Sequence, residues 1–271
     1  MTNKIVVITG CSSGIGLTTA NYLKNNGMEV CATTRKTEDV KKLKKLGFDA
    51  YKLDVTKILD IKNVIEEITS KYGKIDVWFN NAGYGQPGAI EDLPTNALRE
   101  QFEINVFGMH ECTIQILEIF KKQGYGTIIQ HSSVLGIISL FGRGAYNASK
   151  YAIEGLSDTL RLELAGTKIK VVTLNTGPIT SDFRKNATAK LQQNIDMENS
   201  RFRELYQKSL KGEGKKVPFN EDAISVAKVV YKIIISKKPK PRYYITKATY
   251  ILGFLKRILN TTMLDKILLK I

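Results

Sequence analysis

Thr9-Gly10-Cys11-Ser12-Ser13-Gly14-Ile15-Gly16 decides how this chain is read. It follows the run Lys4–Thr9, whose centre, Ile5-Val6-Val7-Ile8, is short, continuous and β-branched. Such runs suit a strand covered on both faces. From about Gly14 to Asn26 the pattern turns helical. Strand, glycine-rich turn and helix in that order build an anion cradle. Gly10 permits the tight turn, Gly14 lets backbone approach a pyrophosphate, and Gly16 allows close helix–strand packing. The helix start, with Ser12, Ser13 and Ile15 around it, offers free N–H groups and a partial positive charge. The competing reading, an ordinary glycine turn, is weakened by the flanking strand and helix.

The alternation continues outward. Met28–Thr34 reads as a strand, Glu38–Leu46 as a helix and Ala50–Leu53 as a strand; helix Ile58–Tyr72 leads to strand Val77–Asn80. One long helical region covers roughly Pro94–Gln123, with Pro94 in its first turn. Strand Gly126–His131, helix Tyr146–Leu164 and strand Ile169–Leu174 follow. This order predicts an α/β fold: a doubly wound, Rossmann-like parallel sheet with helices on both faces. Residues 182–218 are polar, helix-compatible and without a strand. They leave the edge of the sheet where ligands bind and read as a helical lid over a substrate, a decorative insertion being the alternative. No repeat or composition break precedes the tail. Residues 1–248 therefore read as one domain and 249–271 as a basic amphipathic tail.

With 271 residues, 43% hydrophobic and 25% charged, the chain can bury a substantial core. Cys11, Cys31 and Cys112 are odd in number and lack a CxxC pair. That argues against a disulfide framework or zinc site and for a reducing, cytoplasmic setting. No signal-peptide pattern opens the chain, and no apolar run reaches the ~18 residues of a membrane span. His110 and His131 have no metal-like company and read as structural, so no metal is expected. Much of the net charge of +15 reads as lysine on solvated faces. Ser236–Ile271 is different: nine basic residues face the single Asp265, a net +8.

The spacing Gly-x-x-x-Gly-x-Gly departs from the general dinucleotide fingerprint and resembles the short-chain dehydrogenase/reductase family in its compact form. Further motifs, in order from Lys4 to Ser181, carry the same resemblance. Asp54-Val55 looks like the family's adenine contact, and Asn80-Asn81-Ala82-Gly83 matches its Asn-Asn-Ala-Gly run. Asn105, Ser133, Tyr146 and Lys150 fall where the family has its catalytic tetrad. Asn175-Thr176-Gly177-Pro178-Ile179-Thr180-Ser181 is similar to its Pro-Gly-Pro-Ile-x-Thr cofactor loop. Thr176 replaces the first Pro, which leaves the loop less constrained. Ser181 replaces the Thr and keeps a hydroxyl for the carboxamide. The resemblance thus implies Asp54, Val55, Asn81, Ala82, Gly83, Gly177, Ile179 and Ser181 as cofactor contacts beside the glycine turn.

The cofactor so implied is a nicotinamide dinucleotide. A carboxylate ending the second strand would bond the 2′-OH of NAD. Thr34 stands there instead, followed by Arg35-Lys36. A guanidinium favours a 2′-phosphate through charge-assisted bonds, and hence NADP(H). The glycine turn holds Cys11-Ser12-Ser13 where many NADP-using relatives carry a second base, so use of NAD(H) stays open.

Tyr146 and Lys150, four apart, share one helix face. A nearby ammonium brings a phenol's pKa of about 10 toward the working range. By the resemblance, Tyr146 protonates a carbonyl oxygen as hydride arrives and Lys150 also bonds the nicotinamide ribose. Ser133 holds the substrate oxygen, and Asn105 supports a water relaying protons toward Lys150.

In the tail, apolar residues at 251, 255 and 258, then 264, 267, 268 and 271, make helical stripes with Lys and Arg opposite. Such helices pack on their own domain or a partner subunit, or lie on an anionic membrane. Nucleic acid is set aside. With Arg242-Tyr243-Tyr244 before it, the tail resembles bacterial NADP-dependent aldehyde reductases near the hydroxysteroid and retinol dehydrogenase branch. The expectation is reduction of an apolar aldehyde or ketone, or the reverse, by a homodimer or homotetramer. The alternatives are a 3-oxoacyl thioester reductase and a non-catalytic NADP(H)-sensing regulator.

Overall fold

Ile5, Val6, Val7 and Ile8 are all buried, and they divide by parity. Val6 and Ile8 join a core with Ala20, Leu23, Val226 and Val230. Ile5 and Val7 join a second with Ile61, Ile65, Trp78, Ile116 and Phe120. Side chains alternate across a strand, so one continuous apolar run serves two cores when helices cover both faces.

In the computed structural model, which describes residues 4–210 and 218–271, this pattern extends over a seven-stranded parallel sheet. The strands are β1 (Ile5–Ile8), β2 (Glu29–Thr34), β3 (Asp49–Lys52), β4 (Val77–Asn80), β5 (Tyr125–Ser133) and β6 (Lys168–Thr176). A short parallel pair, β7 (Ile179–Thr180) and β8 (Glu221–Asp222), lies outside the sheet, and β9 (Arg242–Ile245) completes it. The order is β3-β2-β1-β4-β5-β6-β9. β1 sits between β2 and β4, where the winding reverses, and the crevice beyond its C-terminal end is where this architecture binds ligands.

The helices are α1 (Gly14–Asn25), α2 (Thr37–Lys45), α3 (Ile58–Tyr72), α4 (Thr95–Phe102), α5 (Met109–Gln123), α6 (Gly144–Glu163), α7 (Phe183–Asn194), α8 (Arg203–Leu210), α9 (Ala223–Ile235), α10 (Lys247–Ile258) and α11 (Thr261–Leu268). The long helix expected over 94–123 is interrupted. Pro94 caps α4, and a π-helical turn, Glu103–Gly108, carries the chain into α5. The wider turn buries Asn105, and such bulges often mark functional sites.

The segment 182–218 holds α7 and α8, packed around Ala89, Leu191, Ile195 and Tyr206; its residues 211–217 lie outside the described ones. Besides the short pair β7–β8, a helix and a strand have no counterpart in the sequence reading. α9 packs Val226 and Val230 into the first core, and β9 pairs in parallel with β6, Thr176 opposite Ile245.

The tail departs from the expected stripe. Leu252, Leu255, Leu259 and Leu268 turn inward with Leu264 onto Val134 and Ile138, whereas Ile251 and Ile258 face outward. Of the stripe 251-255-258, Leu255 alone packs inward. α11 starts where Asn260 caps it, its side chain accepting from the Met263 amide at 2.9 Å. Among the described residues no helix is long and apolar enough to cross a membrane.

Candidate active site

Gly10 has φ +74°, and a Cβ there would lie 2.9 Å from the Ala82 Cα. A Cβ on Gly16 would collide with the Gly10 carbonyl oxygen and stand 2.7 Å from Asn81 Nδ2. Only glycine fits either position. The Thr9 hydroxyl accepts from the amides of Asn81 and Ala82, both at 2.9 Å. Asn81 Nδ2 donates to the carbonyls of Thr9 (2.9 Å) and Gly10 (3.1 Å). The ends of β1 and β4 are thereby sewn together, with the Asn81 carboxamide serving as a strut. Ser13 caps α1 without a side-chain bond, leaving its hydroxyl and the first-turn amides of α1 for an anion.

From this turn runs a cleft of about 1800 Å³. It is lined by all the residues expected to contact a cofactor: the glycine turn, Arg35, Asp54, Val55, the Asn81–Gly83 run, Tyr146, Lys150, Gly177, Ile179 and Ser181. Thr34 and Lys36 flank Arg35 in its wall, and no ion pair engages Arg35 among the described residues. Asp54 has one carboxylate oxygen committed to the amide (3.1 Å) and hydroxyl (2.8 Å) of Thr56. Volume, free amides and an unpaired guanidinium fit a dinucleotide with its pyrophosphate on α1.

α6 sets Tyr146 and Lys150 one turn apart, with Lys150 Nζ 5.5 Å from the Tyr146 ring centre. Nζ donates to the His131 carbonyl at 2.6 Å, and burial draws the Lys150 pKa down to about 8. Burial pushes Tyr146 up to about 12, against hydrogen bonding with Ser133 and the charge of Arg143. The expectation that the Lys150 ammonium brings the phenol's pKa toward the working range therefore needs correcting. Removal from water outweighs the neighbouring charges, and the cation that opposes it is Arg143. Ser133, ending β5, donates to the Thr176 carbonyl at 3.2 Å and accepts from the Leu135 amide at 3.2 Å.

Asn105 stands apart from the other three. It does not line the cleft; its Oδ1 accepts from the Tyr84 amide at 3.1 Å. Its Nδ2 donates to the Tyr84 carbonyl at 2.9 Å and to Ser149 Oγ at 3.2 Å. In this arrangement the Asn105 side chain props the Tyr84 segment and the catalytic helix.

Sequence reasoning missed three neighbours of the site. Phe183, first residue of α7, packs its ring 5.3 Å from that of Tyr146, over Gly85, where a Cβ would meet Phe183 Cζ at 2.7 Å. Arg143 lies three residues before Tyr146 and lines the cleft, but no motif marks it. His131 was read as structural, and it is a hub. It is half-buried in the cleft wall, its ring nitrogens meet Asn81 Oδ1 (3.0 Å) and Thr176 Oγ1 (3.2 Å), and desolvation holds its pKa near 3. Neither histidine has metal-ligating company among the described residues.

An anion-cradling turn at the switch point of a parallel sheet, sharing one cleft with the Tyr–Lys pair of α6, defines an oxidoreductase of the nicotinamide dinucleotide-binding class. The chain belongs to the short-chain dehydrogenase/reductase family, whose profile, described as short chain dehydrogenase, matches residues 4–192. It is 37% identical over 270 residues to YbbO of Escherichia coli K12, an uncharacterized oxidoreductase, covering 98% of this chain and 94% of that one. It is 30% identical over 276 residues to the NADPH-dependent 3-dehydrocapnine reductase of Ornithobacterium rhinotracheale, covering 98% and 96%. A short-chain dehydrogenase from Streptomyces avermitilis shares the fold at TM-score 0.75 and 28% identity, covering 98% and 93%.

Proposed function

We propose that this oxidoreductase uses NADP(H) to reduce an apolar aldehyde or ketone to the alcohol, with Tyr146 as the proton donor. The carrying observation is that Tyr146, Lys150 and Ser133 line the same cleft as Arg35. When bound, the nicotinamide supplies the hydride. Ser133 Oγ, at the end of β5, holds the substrate oxygen. The Tyr146 phenol, kept protonated by burial, gives its proton to that oxygen as negative charge develops there. Lys150 holds the nicotinamide ribose and stabilises the phenolate left behind. Arg35 and Lys36 meet the 2′-phosphate, because no carboxylate ends β2. Phe183 and Tyr84 make the substrate end apolar, and an aromatic wall excludes water from the proton transfer. That the 3-dehydrocapnine reductase is NADPH-dependent supports the choice of cofactor.

The test is oxidation of NADPH and of NADH, followed by absorbance, against aldehydes, ketones and an acetoacetyl thioester. NADPH-dependent turnover of aldehydes or ketones is expected. Preference for the thioester would favour a 3-oxoacyl reductase. Tight NADPH binding with no turnover of any substrate would favour a sensing regulator.

A further inference from the structure

α10 is apolar on two sides, and only one of them is used. Inward, Leu252, Leu255 and Leu259 pack on Val134 and Ile138. Outward, Ile251, Phe254 and Ile258 follow Lys247 at helical spacing, with Tyr250 beside them. Tyr250 and Phe254 are each 61% exposed, Ile258 58% and Ile251 46%. The helix is firmly seated. Gly253 lets it approach Tyr244, where a Cβ would stand 2.9 Å from the ring, and the Tyr244 and Tyr250 rings meet edge to face at 5.5 Å. The outward face is therefore a fixed surface of the fold. A helix apolar on both sides calls for a partner on each, and a contiguous exposed apolar patch marks an interaction surface.

Charge selects the partner. α10 contains no acidic residue, and Lys247, Lys256 and Arg257 are all exposed on it. Of the nine bases between Ser236 and Ile271, Arg242 alone is ion-paired among the described residues. A two-fold contact with a second copy would press this patch against itself and bring like charges together. A surface that accepts apolar side chains and carries negative charge meets both demands. We infer that α10 docks on an anionic lipid bilayer, with Ile251, Phe254 and Ile258 entering the interface and Lys247 and Arg257, on and beside that face, meeting the headgroups. The strip under α10 continues through Leu140, which lines the cleft, so docking would set the cleft beside the lipid. The inference stands on the helix alone and does not depend on the substrate reading.

The experiment is co-sedimentation of the full chain with vesicles of phosphatidylcholine, alone or mixed with phosphatidylglycerol, at low and high salt. Binding is expected to the mixed vesicles and to fall as salt rises. The double variant F254S/I258S should bind at least about tenfold more weakly, with an unchanged thermal midpoint, because both side chains point away from the fold. The variant K247Q/R257Q should bind the mixed vesicles more weakly, with its remaining binding less sensitive to salt. Absence of wild-type binding, or wild-type binding by a still-folded F254S/I258S, would overturn the inference. So would a mass by light scattering that halves in F254S/I258S while the wild type ignores vesicles, which assigns the face to a second copy of this chain.

Discussion

The Asn81 carboxamide fixes the tautomer of the His131 imidazole. Asn81 Nδ2 is spent on the carbonyls of Thr9 and Gly10, so its Oδ1 must accept. His131 Nδ1 therefore carries the proton, and Nε2 is left to accept from the Thr176 hydroxyl. The same residue's carbonyl receives Lys150. One neutral ring thus joins the glycine turn, the cofactor loop and the catalytic lysine. His131→Leu leaves Asn81 Oδ1 without that partner, at a cost of ~1–3 kcal/mol, while the Thr176 hydroxyl can turn to the Ser132 carbonyl 3.4 Å away. The expected result is roughly tenfold weaker NADPH binding together with a lower thermal midpoint, read by fluorescence titration and calorimetry. A variant that loses stability but binds NADPH as before would refute the hub.

Tyr146→Phe removes the proton donor while the ring keeps its contact with Phe183. Turnover should fall by about 10²–10⁴, the usual worth of a positioned general acid, with NADPH affinity kept. If the variant turned over at a tenth of the wild-type rate or better, another group would have to supply the proton.

Arg35→Ala should weaken NADPH by about tenfold or more, since charge-assisted bonds to a phosphate contribute about 1.5–3 kcal/mol. NADH, which lacks the 2′-phosphate, should bind as before. Equal effects on the two dinucleotides would move the 2′-phosphate reading away from this residue.

Lys150 has its pKa lowered to about 8 from 10.5 by burial. A buried lysine with a lowered pKa opposes folding in full below the folded value, and the penalty fades as pH climbs to the unfolded one. The shift amounts to roughly 3 kcal/mol, against about 1–2 kcal/mol for the lost bond to the His131 carbonyl. Lys150→Met should therefore abolish turnover yet raise the thermal midpoint of the dinucleotide-free protein near neutral pH. That gain should shrink between pH 8 and 10.5. Unfolding curves across this range check it, and a gain independent of pH would contradict the origin assigned to the shift.

Most of the sheet was legible because β1 and β4 are apolar runs and β2, β5 and β6 have apolar centres, all set between helical periods. Ile58–Tyr72 and Val77–Asn80 begin and end where their sequence patterns do. β9 was not legible. Its four residues include Arg242, whose half-buried guanidinium bonds Glu154 Oε2 at 2.6 Å, a partner 88 residues upstream. No local pattern announces such a strand. The π turn was invisible for a related reason: one widened turn changes neither composition nor the flanking periods, although it decides that Asn105 faces Tyr84. The cofactor wall could be read from ordered motifs. Phe183 and the His131 hub could not, because each acts through a neighbour distant in sequence, and Arg143, though three residues from Tyr146, belongs to no motif.

Thr246, at φ +75°, turns the chain from β9 into α10, and a Cβ on Gly177 would collide with its hydroxyl. Gly177 belongs to the cofactor loop, so the wall behind that loop is made of residues translated well after the loop itself. On the ribosome, β6 emerges long before its neighbour, and Thr173 waits 68 residues for the carbonyl of Pro241. The dinucleotide cleft therefore closes only once β9 has been made. Until then the growing chain exposes an unpaired β6 edge, and it is in that interval that a holding chaperone has the most to protect.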